Sequence, residues 1–214
     1  MSFKAAVGFF ASLAITALLS AGIAQAAPVK LVGFGDSLMA GYQLPAADAF
    51  PVKLEAALRA KGYEVEIANA GVSGDTTSGG LARLDWSIPD GTQGVILELG
   101  ANDALRGIAP EETEKNLDAM LARLKERGIP VLLAGMLAPP NMGADYAARF
   151  NGIYQRLSEK HGVPLYPFFL EGVVTKANLQ IEDGMHPNPE GVDVMVQSIL
   201  PTAEAFLKSI SAGE

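Results

Sequence analysis

The chain has 214 residues, 24 of them acidic and 16 basic, a formal net charge of −8 and no cysteine. That balance excludes a polyanion binder: the longest basic cluster, Arg123-Leu124-Lys125-Glu126-Arg127, is broken by Glu126, and no nucleic-acid partner is expected. Without cysteine there is no disulfide framework, and with only two histidines, His161 and His186, neither a zinc centre nor another cofactor is expected.

Residues 1–26 read as a secretory signal. Lys4 is the only charge, Ala5 to Ala21 is mostly apolar, and Ala24-Gln25-Ala26 has the small-x-small pattern of a signal-peptidase site. Cleavage after Ala26 leaves residues 27–214 as a single soluble domain, exported to the periplasm or beyond and without a stable membrane anchor. An uncleaved anchor is the alternative, because the apolar run approaches the ~20 residues that span a bilayer.

Val29 to Phe34 is a short apolar run with β-branched residues that stops at Gly35-Asp36-Ser37, as a buried parallel strand stops at a loop. A serine there sits where open α/β sheets place their ligands, although Asp36 or Ser37 would also serve simply as a helix cap. Phe50, Leu54, Ala57 and Leu58 recur at helical spacing up to Lys61, with Gly62 as the stop. Val65 to Ala68 is a second strand, ending at a polar loop that runs to Thr77, with Asp75 or Thr76 capping a helix towards Leu84. Val95 to Leu99 is the third strand, followed by Gly100-Ala101-Asn102-Asp103 and a helix from about Glu111 to Arg127. Val131 to Ala134 is a fourth strand, Ala144 to Lys160 a helix, and Val163 to Tyr166 a fifth short strand. A Gly/Pro-rich loop, Glu182 to Pro189, precedes the last helix. Strand and helix alternate with crossovers long enough for parallel pairing, which predicts a three-layer α/β/α sandwich on a parallel sheet of about five strands. No repeat, second domain or oligomerisation signal shows, so a monomer is expected.

Of the two histidines, His161 closes a helix just before Gly162, where a cation meets the helix dipole. His186 lies three residues after Asp183, a spacing that lets one turn of chain aim a carboxylate at the imidazole and fix its tautomer. Glu182 is the rival acid. Acyl transfer through a serine also needs donors for the tetrahedral oxyanion, and the other strand-end loops offer Gly74 and the Asn102 amide. Asp36, Asp75 and Asp103 each follow a strand, where a short acid can hold a loop by local hydrogen bonds. Glu98, mid-strand, has no explanation in the sequence. Tyr42, Trp86 and Met142 would line an acyl groove or lie in the core, and Arg106 would meet an acidic substrate group or solvent.

The pattern is not the Gly-x-Ser-x-Gly elbow, since Met39 stands two after Ser37. Gly35-Asp36-Ser37-Leu38, Ser73-Gly74-Asp75, Gly100-Ala101-Asn102-Asp103 and Asp183-Gly184-Met185-His186 together resemble the four motifs of the SGNH, or GDSL-type, hydrolase family, in its order. The resemblance implies a flavodoxin-like fold, Ser37 as nucleophile, His186 as general base and Asp183 as its orienting acid. It also implies an oxyanion hole of the Ser37 and Gly74 N–H groups with the Asn102 side chain. Asn69-Ala70, Leu81-Ala82-Arg83-Leu84, Leu105-Arg106-Gly107 and Pro167-Phe168-Phe169 look like the periplasmic acyl-CoA thioesterase, lysophospholipase and arylesterase subgroup. The substrate expected on that likeness is a small-molecule ester or thioester, possible sources including lipids. In that subgroup the segment matching Asp103 to Ile108 is a mobile loop over the acyl chain; Ala101 and Ala104 stand here where glycine is often found. A carbohydrate or peptidoglycan O-acetylesterase and a non-catalytic exported binding protein are the other readings.

Overall fold

The computed structural model describes residues 27–212, so the signal segment read over residues 1–26 lies outside the described residues. Strand β1 (Val29–Gly35) leads into a one-turn helix, α1 (Ser37–Ala40), and then α2 (Phe50–Ala60). β2 (Val65–Gly71), α3 (Thr77–Ser87), β3 (Gly94–Glu98), the short α4 (Ala101–Leu105), α5 (Pro110–Glu126) and β4 (Val131–Ala134) follow. α6 (Ala144–Phe150), α7 (Ile153–His161), β5 (Leu165–Tyr166) and α8 (Pro189–Ser211) complete the order.

The five strands form one parallel sheet in the order β2-β1-β3-β4-β5. β3 is buried along its whole length and β1 from Leu31 to Gly35, as apolar central strands covered on both faces must be. β2, at the edge, buries Val65 and Ile67 and exposes the alternating Glu66 and Ala68. Helices α2 and α8 pack together on one side of the sheet, and α3, α5 and α7 on the other. This is the three-layer α/β/α arrangement that the alternation of elements predicts. The chain leaves β1 towards β2 and leaves β3 towards β4, in opposite directions. The gap between the carboxyl ends of β1 and β3 is therefore the switch point at which such sheets bind ligands.

The fifth strand is shorter than the sequence reading, Leu165–Tyr166 in place of Val163 to Tyr166, α1 and α4 are short helices where loops were read, and two further elements differ more. β2 does not stop at Ala68 but pairs with β1 as far as Gly35↔Gly71. Asn69 and Gly71 have poor strand propensity, yet they are held by the neighbouring ladder and by the Asn69 side chain, which accepts the Gly71 N–H at 2.9 Å and donates to the Ala40 carbonyl. Gly71 is required by space: a Cβ there would collide with the Ala40 backbone, so glycine lets α1 lie against β2. The expected single helix from Ala144 to Lys160 is two helices, α6 and α7, interrupted at Asn151-Gly152. The Asn151 side chain accepts the Ala138 N–H at 2.8 Å, which ties this break to the loop after β4.

Candidate active site

Asp36 is the cap and Ser37 the free group. The Asp36 Oδ1 accepts the Leu38 N–H at 3.0 Å, which makes Ser37 the first residue of α1. Its backbone N–H is thus among the first-turn donors that a helix leaves unpaired. The Ser37 hydroxyl donates to His186 Nε2 at 2.8 Å, and His186 Nδ1–H donates to Asp183 Oδ2 at 2.6 Å. That tautomer follows from the partners: an ionised carboxylate only accepts, so the proton sits on Nδ1 and Nε2 is free to take one from serine. The other Asp183 oxygen, Oδ1, accepts the backbone N–H groups of Met185 and His186 at 2.9 and 3.0 Å. Burial opposes ionisation of Asp183, but those two N–H groups and the imidazole outweigh it and hold its carboxyl below the ordinary range. Glu182, the rival, is exposed, and Asp183 is the carboxylate against the ring. The Tyr42 ring packs on the His186 ring with centroids 4.6 Å apart, a restraint that the sequence did not disclose.

Gly74 stands on the loop after β2, and Asn102 in the first turn of α4, directly after β3. Gly74 has φ +81°, a left-handed conformation that suits glycine, and its carbonyl accepts from Arg106 at 2.7 Å. Arg106 is exposed, as a solvated loop charge would be, and its one hydrogen bond also straps the segments after β2 and β3 together. The Asn102 amide donates to Asp36 Oδ2 at 3.0 Å, and its second N–H remains for another acceptor. Asp103 points away from the serine and accepts the Thr77 N–H at 2.8 Å, holding α3 to α4. Asp75 pairs with Arg83 at 2.7 Å. The same guanidinium donates to the carbonyls of Ala70 and Gly35, each at 2.8 Å, and lies 4.1 Å above the Phe34 ring centroid. Arg83 thus fastens the ends of β1 and β2 and the loop that carries Gly74. Sequence reasoning gave it no task; an arginine flanked by Leu81 and Leu84 on a helix leaving a strand end was the available signal.

Asp36 and Glu98 are both fully buried. Burial raises the Asp36 carboxyl from 3.8 to about 6, against the hydrogen bonds from Leu38 and Asn102 that favour its charge. Burial, then the neighbouring Asp36, pushes Glu98 up as well. A carboxyl whose folded pKa is raised favours the folded state fully below its unfolded value, and that contribution is lost as pH rises through about 6. Asp36→Asn removes that pH dependence while leaving one of its two N–H donors without an acceptor, so its stability relative to the wild type is expected to rise by at most about 3 kcal/mol between pH 4 and pH 8. Denaturant unfolding of both proteins across that range measures it; a gain independent of pH would separate it from carboxylate burial.

The remaining candidates lie elsewhere. His161 Nε2 meets Asp118 at 2.6 Å on the outer face of α5, beside the Lys160–Asp118 ion pair. It closes α7 far from the serine loop. Glu111, Glu114 and Asp118 of α5 pair across a cleft with Arg149, Arg156 and Lys160. Trp86 is 75% exposed on α3 and belongs neither to the core nor to the serine loops. Met142 is half-buried and packs on the core beside Gly107. Among the described residues, no group of His, Cys, Asp or Glu has the geometry to hold a metal ion, and no helix is long and apolar enough to cross a membrane.

A serine, an imidazole and a carboxylate linked in series at the carboxyl edge of a parallel sheet form the layout used by serine hydrolases. Residues 34–194 match the model of the GDSL-like Lipase/Acylhydrolase family. The chain belongs to that family. It is 44% identical over 180 residues to an arylesterase of Vibrio mimicus, covering 84% of this chain and 89% of the relative. It is 38% identical over 181 residues to thioesterase 1/protease 1/lysophospholipase L1 of Escherichia coli K12, covering 82% and 86%. The crystal structure of AlinE4, an SGNH-hydrolase family esterase, superposes with a TM-score of 0.73 at 45% identity, covering 86% of this chain and 98% of that one.

Proposed function

We propose that Ser37 attacks an ester or thioester carbonyl as His186 takes its proton, Asp183 holding the imidazole in the required tautomer. The chain is an ester-hydrolysing enzyme of the SGNH type. The tetrahedral oxyanion is received by the Ser37 and Gly74 N–H groups and by the second N–H of the Asn102 amide. Collapse to an acyl-enzyme expels the alcohol or thiol, protonated by His186, and water activated by the same imidazole then releases the carboxylic acid. The observation that carries this reading is the unbroken hydrogen-bond series Ser37–His186–Asp183.

The acyl group is of medium or long chain. Exposed apolar side chains recur on the connections at this edge: Tyr42 after β1, Val72 after β2, Leu105 at the end of α4, Leu137 after β4, and Met185 beside His186. Water-facing apolar groups set around a polar centre favour an acyl chain over acetate. Arylesters, acyl thioesters and lysophospholipids fit this chemistry, and the names of the relatives agree with them. The protein acts as a monomer outside the inner membrane once residues 1–26 are removed.

Hydrolysis of p-nitrophenyl esters from acetate to palmitate tests the reading. Turnover is expected to rise beyond acetate to a medium or long chain. Turnover confined to acetate would favour an O-acetylesterase, and none at all a binding protein on the same fold.

A further inference from the structure

Glu98 ends β3 fully buried, and the reaction above gives it nothing to do. Its Oε2 accepts the Asp36 N–H at 3.3 Å, while its Oε1 is buried without a hydrogen-bond partner. Asp36 spends its two carboxylate oxygens on the Leu38 N–H and on the Asn102 amide. The side chain is seated hard against the turn that carries the serine: a Cβ on Gly35 would lie 2.5 Å from Glu98 Oε2 and 2.6 Å from the Glu98 carbonyl. Glycine at 35 is thus what lets an acid stand behind the serine loop.

The charge on this pair follows from its surroundings. Arg83, held at the Gly35 carbonyl, spends its donors on Asp75, Ala70, Gly35 and Ser87 and gives none to Asp36 or Glu98. His186 faces Asp36 from the site, Asp103 from α4, and Tyr154 faces Glu98 with its hydroxyl already committed to the Leu99 carbonyl. Two adjoining carboxyls sealed from water without a paired cation cannot both be ionised. Asp36 receives two N–H donors and Glu98 a single long one, so the charge belongs on Asp36 and the proton on Glu98, whose carboxyl hydrogen-bonds to that of Asp36.

We propose that Glu98 is a positioning residue: a neutral carboxylic acid that fixes the Asp36 peptide, so that the Asp36 carboxylate holds the Asn102 amide in place for the oxyanion. An apolar residue at 98 would leave the Asp36 N–H unpaired and the serine turn unsupported. An ionised one would repel the Asp36 carboxylate that Asn102 depends on. The inference rests on the reading of Asn102 as an oxyanion donor.

Glu98→Gln and Glu98→Leu separate the possibilities, assayed on p-nitrophenyl esters with active sites counted by an organophosphorus probe. Glu98→Leu is expected to lower kcat by ~10–100-fold with KM within ~2-fold, because a misplaced oxyanion donor is missed mainly in the transition state. Glu98→Gln, which keeps an uncharged acceptor of the same shape, is expected to restore kcat to within ~3-fold of the wild type. Infrared spectra of the wild type at pH 8 should contain the carbonyl band of a protonated carboxylic acid that Glu98→Gln lacks. Wild-type kcat per titrated site in Glu98→Leu would reduce Glu98 to packing and overturn the proposal. So would a Glu98→Gln enzyme as impaired as Glu98→Leu, or an infrared difference without the acid band. If Glu98→Leu does not fold, the other two measurements decide. A wild type that fails to take up the probe would refute the serine mechanism instead, and would leave the infrared result standing.

Discussion

Replacing Ser37 with alanine is expected to lower kcat by at least ~10⁴-fold while changing stability by no more than ~1 kcal/mol. The hydroxyl makes one hydrogen bond, to His186, and the cap of α1 is Asp36, so its removal leaves the turn intact. The variant should also cease to gain mass from an organophosphorus probe that labels the wild type once. The combination is informative because the oxyanion donors and the apolar rim remain. Residual turnover then reports what binding and electrostatics supply without the covalent step. A folded Ser37→Ala protein with wild-type kcat would remove Ser37 from the mechanism.

Arg83→Met should produce the largest loss of stability, about 3–5 kcal/mol, because it strands a partner in a buried ion pair. The side chains of Arg83 and Asp75 are only 8% and 13% exposed, and two backbone carbonyls lose a donor at the same time. At a few degrees per kcal/mol for a domain of this size, the midpoint of thermal unfolding should fall by roughly 10 °C. Asp75→Asn in the same chain should recover part of that loss, since the uncompensated charge is then gone. Independent, additive effects of the two substitutions would show that the pair is not coupled.

The central strands were legible because they are buried on both faces: Leu31 to Phe34 and Val95 to Leu97 are continuous apolar runs. The ends of elements were not. β2 continues through Asn69 and Gly71 because β1 supplies a ladder, and Ala144 to Lys160 breaks because Asn151 finds the Ala138 N–H; both partners are remote in sequence. At the site, the Asp183–His186 spacing is local and could be read directly. The partners of Arg83, Arg106 and Glu98 lie on other strands and loops, where spacing along one segment carries no information. The acids at 36, 75 and 103 do hold loops: the local cap of Asp36 on Leu38 could be read from the sequence, while the partners of Asp75 and Asp103 are visible only once α3 and α4 are assembled.

Ser37 and His186 are 149 residues apart in sequence and meet across a single hydrogen bond. One follows the first strand and the other immediately precedes the last helix. No amino-terminal fragment ending before that helix can therefore hold the pair in register, however well its own strands form. Ester turnover reports the completed molecule, and its recovery during refolding should keep time with the docking of the final helix, after the earlier elements have formed. A cut in the chain between β5 and α8 should silence the enzyme at once if the carboxyl piece dissociates, even while most of the sheet survives.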